Sequence, residues 1–600
     1  MTSEQNKRKW IAVAVAVGVI LLTVVVILVA SNPPKEQGDD TNPPETEGSD
    51  TQAPDRYVIR FRSWDGTVLD TQYVKPGEIP VYGGNPPTRQ QDETYRYEFI
   101  GWDEELLEAA SDRDYYAKFQ AIERFPLWDG SIASGFESGS GTQDDPYLIA
   151  NASQLAYLAK AVNENNSEIN REGVHFRQIN DINLASENNA HEWTPIGTGV
   201  DLNGSTDLAY AFKGYYNGYG FRILGMTITQ PARTYHKYFG LFGAATGQIA
   251  AVNLENVNIS LKNSPYVAGV CGYYSSATYS LVQCTVSGTI TGGTQATGGI
   301  VAVLQGNPST VGYSSSSATV SGGYMAGGIT GYSNSGIINH CTSSGSVSVT
   351  SGVADSGVGG IVGYSTGRVW YCSSSASVSH VSTRTEAAAH VGGLVGLAWD
   401  GFITGCSATG SLSTGYSTAT SNQNSWTGQY VGGLVGHIRG TTAVKDSFSL
   451  ATVSSDGFGG GFVGSLGSSE AKIENCYAAG TVSAKTMAGG FVAAMNDPDT
   501  AGLIKNCVAF GDVTATQSGQ LAGFYPAADL SSSACVNCYR AEYQAIHTNY
   551  TVSSYDNAST PKFATELNTD TFWTNTLTWS EETWDLSELD VEGNKYPKLK

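Results

Sequence analysis

Past its first nine residues this sequence has no cluster of lysine or arginine, and 33 basic residues stand against 55 acidic ones for a formal charge of −22. Holding a phosphate backbone takes a grouped basic footprint, so nucleic acid is excluded as a partner. A zinc-peptidase helix is missing too. His191-Glu192 runs into Trp-Thr-Pro-Ile-Gly, with no second histidine and a helix-breaking proline, whereas that chemistry needs His-Glu-x-x-His on one helical face. Between residues 241 and 530 arginine is confined to Arg368, Arg384 and Arg439, and the acidic residues do not recur at one repeat position. A polysaccharide lyase or glycosidase needs converging carboxylates on one face. The nearest pair, Asp497 and Asp499, lies in an Asn-Asp-Pro-Asp-Thr run that reads as a turn. No catalytic group, metal site or cofactor is expected.

What is present begins with a membrane signal. Lys7-Arg8-Lys9 precedes an apolar run from Trp10 to Ala30, about the 20 residues that cross a hydrocarbon core. The basic cluster stays inside, so residues 1–9 are expected as a cytoplasmic tail and residues 10–30 as a transmembrane signal anchor. The cell membrane is then a partner, with the C-terminal bulk outside. Cleavage near Ala30 would make the protein secreted instead. Residues 31–55, proline-rich and acidic with almost no apolar content, cannot bury enough surface to fold and form a disordered stalk.

From Tyr57 the texture turns to alternating β-branched and aromatic residues on either side of Asp65-Gly66, a hairpin signal. Two further strands follow in Tyr95–Asp103 and Asp114–Gln120. Through Trp-Asp-Gly-Thr-Val-Leu-Asp-Thr-Gln-Tyr-Val-Lys-Pro-Gly (64–77), Phe99-Ile-Gly-Trp-Asp103 and Tyr115-Tyr-Ala-Lys-Phe119, residues 56–121 resemble the internalin-type B repeat, a small β-grasp module. The resemblance implies a spacer or adhesive domain with no active site.

Beyond residue 125 the chain repeats itself. A Gly-apolar-apolar-Gly motif recurs at Gly240/Gly243, Gly269/Gly272, Gly328/Gly331, Gly360/Gly363, Gly393/Gly396, Gly433/Gly436 and Gly461/Gly464. Degenerate copies begin at Gly299, Gly490 and Gly523, and the mean period is about 31 residues, a solenoid length. About ten residues later each repeat carries apolar-x-x-Cys, placing Cys284, Cys341, Cys372, Cys406, Cys476, Cys507 and Cys538 at one address. Ser314, Ser447 and, in the first repeat, Val257 occupy the same slot. A slot that takes Cys, Ser and Val wants a small buried side chain rather than thiol chemistry. The register also explains Cys535-x-x-Cys538 without metal or redox work, because Cys535 replaces the aliphatic residue three before the slot. Buried, reduced thiols are expected.

Alternation within each repeat is strand-like, so successive coils should pair in parallel with glycines permitting tight corners. The fold class is mainly all-β: a right-handed parallel β-helix of roughly 30-residue coils. The small β-grasp module and one transmembrane helix precede it. The glycine motif resembles the GLUG repeat of bacterial surface proteins, which is also found beside the peptidase unit of IgA-specific metallopeptidases. Residues 125–239 are expected as an N-terminal cap and first coils, with Asn151 or Ser153 capping a short helix. Residues 240–540 are the repeats, and residues 541–600, with Trp573, Trp579 and Trp584, the C-terminal cap.

Aromatic residues suggest binding. Tyr273, Tyr332 and Tyr364 each follow a glycine motif, with Leu397 and His437 in the same place later, so they should form a stripe able to stack on sugar rings. Trp370, Trp399 and Trp426 lie in or near the longer repeats as possible loop-borne contacts. The function expected is a membrane-anchored bacterial surface adhesin or spacer, with glycans or host and matrix proteins as partners. An extracellular carbohydrate-active β-helix enzyme, a lyase or glycoside hydrolase, is the alternative. The oligomeric state is not legible.

Overall fold

The computed structural model describes residues 55–92, 95–123, 125–199, 208–231, 236–384, 388–416, 428–496, 503–516, 520–526, 534–548 and 559–600. The apolar run at 10–30, the stalk, Trp426 and the turn at 497–500 lie outside them. Among the described residues no helix is long and apolar enough to cross a membrane.

Two compact units emerge. The smaller is a four-stranded sheet of β1 (Tyr57–Arg62), β2 (Val68–Val74), β3 (Tyr95–Trp102) and β4 (Arg113–Glu123) in the order β2-β1-β4-β3. β1 and β2 pair antiparallel and β1 and β4 parallel. The hairpin turns where Gly66 takes φ +87° and Asp65 accepts a hydrogen bond from the Thr67 amide at 3.0 Å. Period-two alternation buries Ile59, Phe61 and Tyr115 on one face, and the Trp102 ring packs 4.7 Å from Phe61.

The larger unit is a parallel β-solenoid. One coil shows the plan: Ser356–Gly359, Val362–Ser365, Arg368–Trp370, then Ser373–Ser374 and Ser377–Ser382. Stacking these segments builds a ten-stranded sheet (sheet I), a nine-stranded sheet (II), a thirteen-stranded sheet (III) and a 22-stranded sheet (IV) that takes two strands from most coils. Because every coil repeats the same register, inward side chains form columns. Val358, Val391 and Val431 line one in sheet I, and Phe462, Phe491 and Phe524 stack at 4.7 and 4.8 Å where sheet I bends into sheet II.

The motif glycines do not serve as conformational hinges. None of the fourteen named above has a left-handed φ, which corrects the expectation of tight corners built on glycine's backbone freedom. The second glycine of each motif is not at a corner at all. Gly243, Gly272, Gly436 and Gly464 are buried inside the sheet II strands Phe242–Ala245, Cys271–Tyr274, Val435–Arg439 and Val463–Leu466, and Gly331, Gly363 and Gly396 lie in theirs likewise.

These glycines serve close approach instead. A Cβ on Gly396 would lie 2.5 Å from the Gly363 carbonyl oxygen and 2.6 Å from the Val358 amide nitrogen, and one on Gly363 would lie 2.7 Å from both the Gly331 oxygen and the Ala326 nitrogen. The same pair of obstacles recurs along the column. On Gly436 it would be the Gly396 oxygen and the Val391 nitrogen, both at 2.6 Å, and on Gly464 the Gly436 oxygen at 2.6 Å and the Val431 nitrogen at 2.8 Å. On Gly272 the Phe239 nitrogen lies at 2.6 Å and the Gly243 oxygen at 2.8 Å, and a Cβ on Gly243 would collide with the Gly197 carbonyl. The first glycine of the motif is pressed from inside: a Cβ on Gly360 would collide with the Ser374 hydroxyl and the Gly393 carbonyl. The missing side chains let sheet II fold back against the outer surface of sheet I.

The left-handed turns sit elsewhere, one residue before the cysteine slot, at Gln283, Tyr313, His340, Tyr371, Gly405, Asp446, Asn475, Asn506 and Asn537. The turn aims the slot inward, and all nine cysteines are free and buried. In the middle coils the slot residue receives the backbone N–H of the coil before it: Cys341 N–H donates to the Cys372 sulfur at 3.5 Å and Cys372 N–H to the Cys406 sulfur at 3.4 Å. The Ser314 and Ser447 hydroxyls accept the same bond from Cys284 and Cys406 at 3.1 Å. This shared geometry is why Cys and Ser exchange. Burial pushes the Cys284 thiol up to about 12 and holds those of Cys372, Cys507 and Cys538 well above the ordinary thiol range, so these four stay protonated at neutral pH. Cys535 pairs with Ile504, in the aliphatic column. In the first repeat the slot belongs to Val252, not Val257, because Asn253 pairs with Thr285 and a register shift follows Leu254.

Both ends have added structure. α1 (Ala152–Asn163) begins at Asn151, whose side chain accepts from the Gln154 amide, and it buries Leu155, Leu158 and Val162 against the first coils. At the other end Thr560–Lys562 adds a strand beside Tyr539–Ala541. The outward column of sheet IV changes there from Ser373 and Ser407 to Phe448, Tyr477, Val508 and Tyr539. Trp573, Trp579 and Trp584 cover that apolar flank.

Candidate functional site

The fold-back of sheet II on sheet I makes a groove with an aromatic lining. Its sheet II wall runs Tyr332, Tyr364, Leu397 and His437 in direct register, with Tyr273 two coils before Tyr332. Its sheet I wall runs Gly357, His390, Tyr430 and Phe458. The walls touch: His390 and His437 stack at 4.8 Å, Tyr430 lies 5.4 Å from His437, and Tyr273 lies 5.1 Å from Tyr238. Tyr273, Tyr332 and Tyr364 therefore form the column read from the sequence, but they are half-buried against neighbours. Trp399 stands at the rim, 41% exposed. Trp370 belongs to sheet III, a different face.

Polar groups gather at one point of this groove. Asp355, left-handed at φ +59°, accepts from Arg439 Nη2 at 2.8 Å and pairs with His390 Nε2 at 3.1 Å. The His390 hydrogen bond, then Arg439, hold the Asp355 carboxyl well below the usual carboxylate range against the opposing effect of burial. The Arg439 guanidinium lies 5.5 Å from the Trp399 ring centroid, a cation–π distance. Beside them opens a cleft of about 520 Å³ lined by His390, Trp399, Tyr430, His437, Arg439 and Asn496.

The histidines here are neutral. Burial lowers His437 to about 3, helped by the nearby His390 and Arg439, and it lowers His380 to about 4. His390 is lowered by burial and partly restored by Asp355. His380 Nε2 is 2.8 Å from the Ser356 hydroxyl, the pairing of a nucleophile and its base. Both residues are sealed, at 1% and 0% exposure, so no substrate reaches the pair. Among the described residues no group of three or more His, Cys, Asp or Glu side chains is placed to hold a metal ion. The groove thus offers aromatic walls, neutral imidazoles and one arginine whose charge Asp355 already balances.

A pH effect follows from this burial. In the unfolded chain these histidines take up protons near pH 6.5, whereas folded His380 and His437 wait until about 4 and about 3. Below about pH 6.5 the unfolded state therefore binds more protons, and stability falls as pH drops from there toward about 4. Thermal melts should show a midpoint several degrees lower at pH 5 than at pH 7.5. His437→Phe, which keeps the stacking, should flatten that slope; an unchanged slope would contradict the account.

Asp355, His390, Tyr430 and Arg439 were not singled out in the sequence. A signal existed for two of them, since His390 and Tyr430 share one repeat address with Gly357. Asp355 and Arg439 lie 84 residues apart, with no repeated spacing to join them.

The model of the GLUG motif matches residues 387–413, the stretch holding His390, Gly393, Gly396, Trp399 and Cys406. Over 141 residues, 23% of the chain, the sequence is 32% identical to a protein of Evansella cellulosilytica provisionally named a Gly-rich membrane protein. The matched stretch spans 14% of that relative's length. A solved structure from Bacteroides ovatus, provisionally described as an immunoglobulin A1 protease, aligns over 78% of this chain and 95% of its own at 18% identity and a TM-score of 0.28.

Proposed function

We propose that this chain is a bacterial cell-surface protein that binds a ligand in the groove between sheets I and II. Residues 10–30 would tether it to the cell membrane, and the small N-terminal unit, by its resemblance to an internalin-type B repeat, would act as a spacer. The observation that carries the reading is the joining of Trp399, Tyr430 and His437 with the Asp355–Arg439 pair around one cleft. Aromatic faces beside fixed polar groups suit the rings and hydroxyls of a glycan or a side chain of a matrix protein. The GLUG match and the relative named as a membrane protein support a surface setting.

Catalysis is the weaker reading. Glycoside cleavage by the common route uses two facing carboxylates; of the carboxylates at the groove, Asp355 is already committed to Arg439 and His390, and Asp400 accepts from the Thr441 amide of the next coil. The test is an array of glycans and matrix proteins probed with the full chain. Trp399→Ala and Arg439→Gln are each expected to weaken the retained ligand about tenfold. Failure of the whole array would leave a spacer, and turnover of a bound glycan would restore the enzyme.

A further inference from the structure

On a different face from the groove, the outer side of sheet III combines backbone strain, exposed aromatics and unpaired cations. The left-handed residue before the cysteine slot is Asn in three late coils, Asn475, Asn506 and Asn537, and Gly at Gly405. These are the residue types that adopt that conformation at least cost. Three successive coils instead place Tyr313, His340 and Tyr371 there, at φ 51°, 49° and 52°. No burial repays the strain: Tyr313 and Tyr371 are 60% and 58% exposed. Their rings stack on each other, 4.6 Å from Tyr313 to His340 and 5.1 Å from His340 to Tyr371. Tyr371 then lies over Gly405, where a Cβ would meet its ring at 2.6 Å. The conformation itself belongs to the turn, since Gln283 takes it too at φ 57°; what these three coils add is a row of exposed rings on a rigid face, which points to binding.

Beside this ladder, Arg368, Trp370, Tyr371, Phe402 and Thr404 line a recess of about 520 Å³. Phe402 is 49% exposed, and the Arg368 guanidinium sits 5.3 Å from the Trp370 ring centroid. The two outward columns of the sheet continue Arg368, Phe402, Ala443, Lys472 and Trp370, Thr404, Lys445, Glu474, Lys505. Glu474 is the one acid in them. Lys445 reaches Asp446 at 4.0 Å, while Arg368, Lys472 and Lys505 have no carboxylate partner among the described residues. Asp400 and Glu470 sit in turns at the edges of the face, and Asp446, at the address of Tyr371 two coils on, is taken up by Lys445 and by the Asn475 amide at 3.1 Å. On a chain with a net charge of −22, this is a local reversal of sign. With coils about 4.8 Å apart, the cations from Arg368 to Lys505 span about 19 Å along the solenoid axis.

We propose that this face binds a carboxylate-bearing polysaccharide laid along the solenoid axis. Trp370 and Phe402 take the apolar face of a sugar ring. The edges of Tyr313, His340 and Tyr371 meet ring hydroxyls, and Arg368 with the lysines pairs the carboxylates. A nucleic acid would satisfy the cations but has no use for a row of ring edges whose faces are already stacked on one another.

The test is affinity of the full chain for polygalacturonate, for its methyl-esterified form and for single-stranded DNA of matched charge. Polygalacturonate should bind at least tenfold more tightly than either control. Arg368→Gln should weaken it about tenfold. Tyr371→Asn is the sharper variant, because Asn fits the left-handed turn: it should cost about tenfold in affinity with the thermal midpoint unchanged or higher. No binding, equal binding of DNA or of the ester, or a Tyr371→Asn protein that binds normally and melts lower would each overturn the proposal.

Discussion

Gly396→Val is expected to destabilise the central coils by at least about 3 kcal/mol, and Gly396→Ala by less but clearly. The position has no left-handed φ, so the cost is purely one of space. A Cβ would meet the Gly363 oxygen at 2.5 Å and the Val358 nitrogen at 2.6 Å. Both are backbone atoms inside parallel pairings with neighbouring coils, so neither can yield without parting sheets I and II. The branches of valine enlarge the clash. Gly415 is the control, since a Cβ there meets nothing within 4 Å, and Gly415→Ala should stay within about 0.5 kcal/mol. Chemical denaturation of the three variants measures this. A Gly396→Val protein as stable as the control would mean that the sheets are not in this contact.

Trp579→Ala should cost about 3–5 kcal/mol in the C-terminal coils. Its ring is 3% exposed, lies tilted 4.7 Å from Trp573 and stacks 4.5 Å from Trp584. Its indole N–H donates to the Asn506 carbonyl at 3.1 Å, so removal leaves both a cavity and an orphaned acceptor. Asn506 also stands in a ladder in which each asparagine amide donates to the coil before it, Asn537 to Asn506 to Asn475 to Asp446, at 3.1–3.3 Å. Because a solenoid coil contacts only its neighbours, damage should stay local. Limited proteolysis should release the segment after residue 560 first while the coils around Cys372 remain protected. Simultaneous loss of both would show a cooperativity this architecture does not predict.

The sequence alone settled the repetitive character of the chain, its parallel strand solenoid and the address of each cysteine. A solenoid coil recreates the same environment every turn, so buried columns are printed as periodic residue types. Val267, Val358, Val391 and Val431 share one interior column, and each turns up at the same distance from its glycine motif. The column of Tyr332, Tyr364, Leu397 and His437 was legible for the same reason, though its half-burial was not, since exposure depends on what the neighbouring sheet does.

Only the tertiary structure decided the rest. It assigned the glycines to close approach rather than to turning, and placed Gly243, Gly272, Gly436 and Gly464 within strands rather than at corners, because the pressure that keeps them small comes from atoms of another coil. It moved the first slot from Val257 to Val252 through a local shift in strand register. It separated Trp370 from Trp399 onto different faces, and it joined Asp355 to Arg439 across 84 residues. A pair of that kind uses no repeated position, so periodicity carries no trace of it. Geometry alone brings the two charges together.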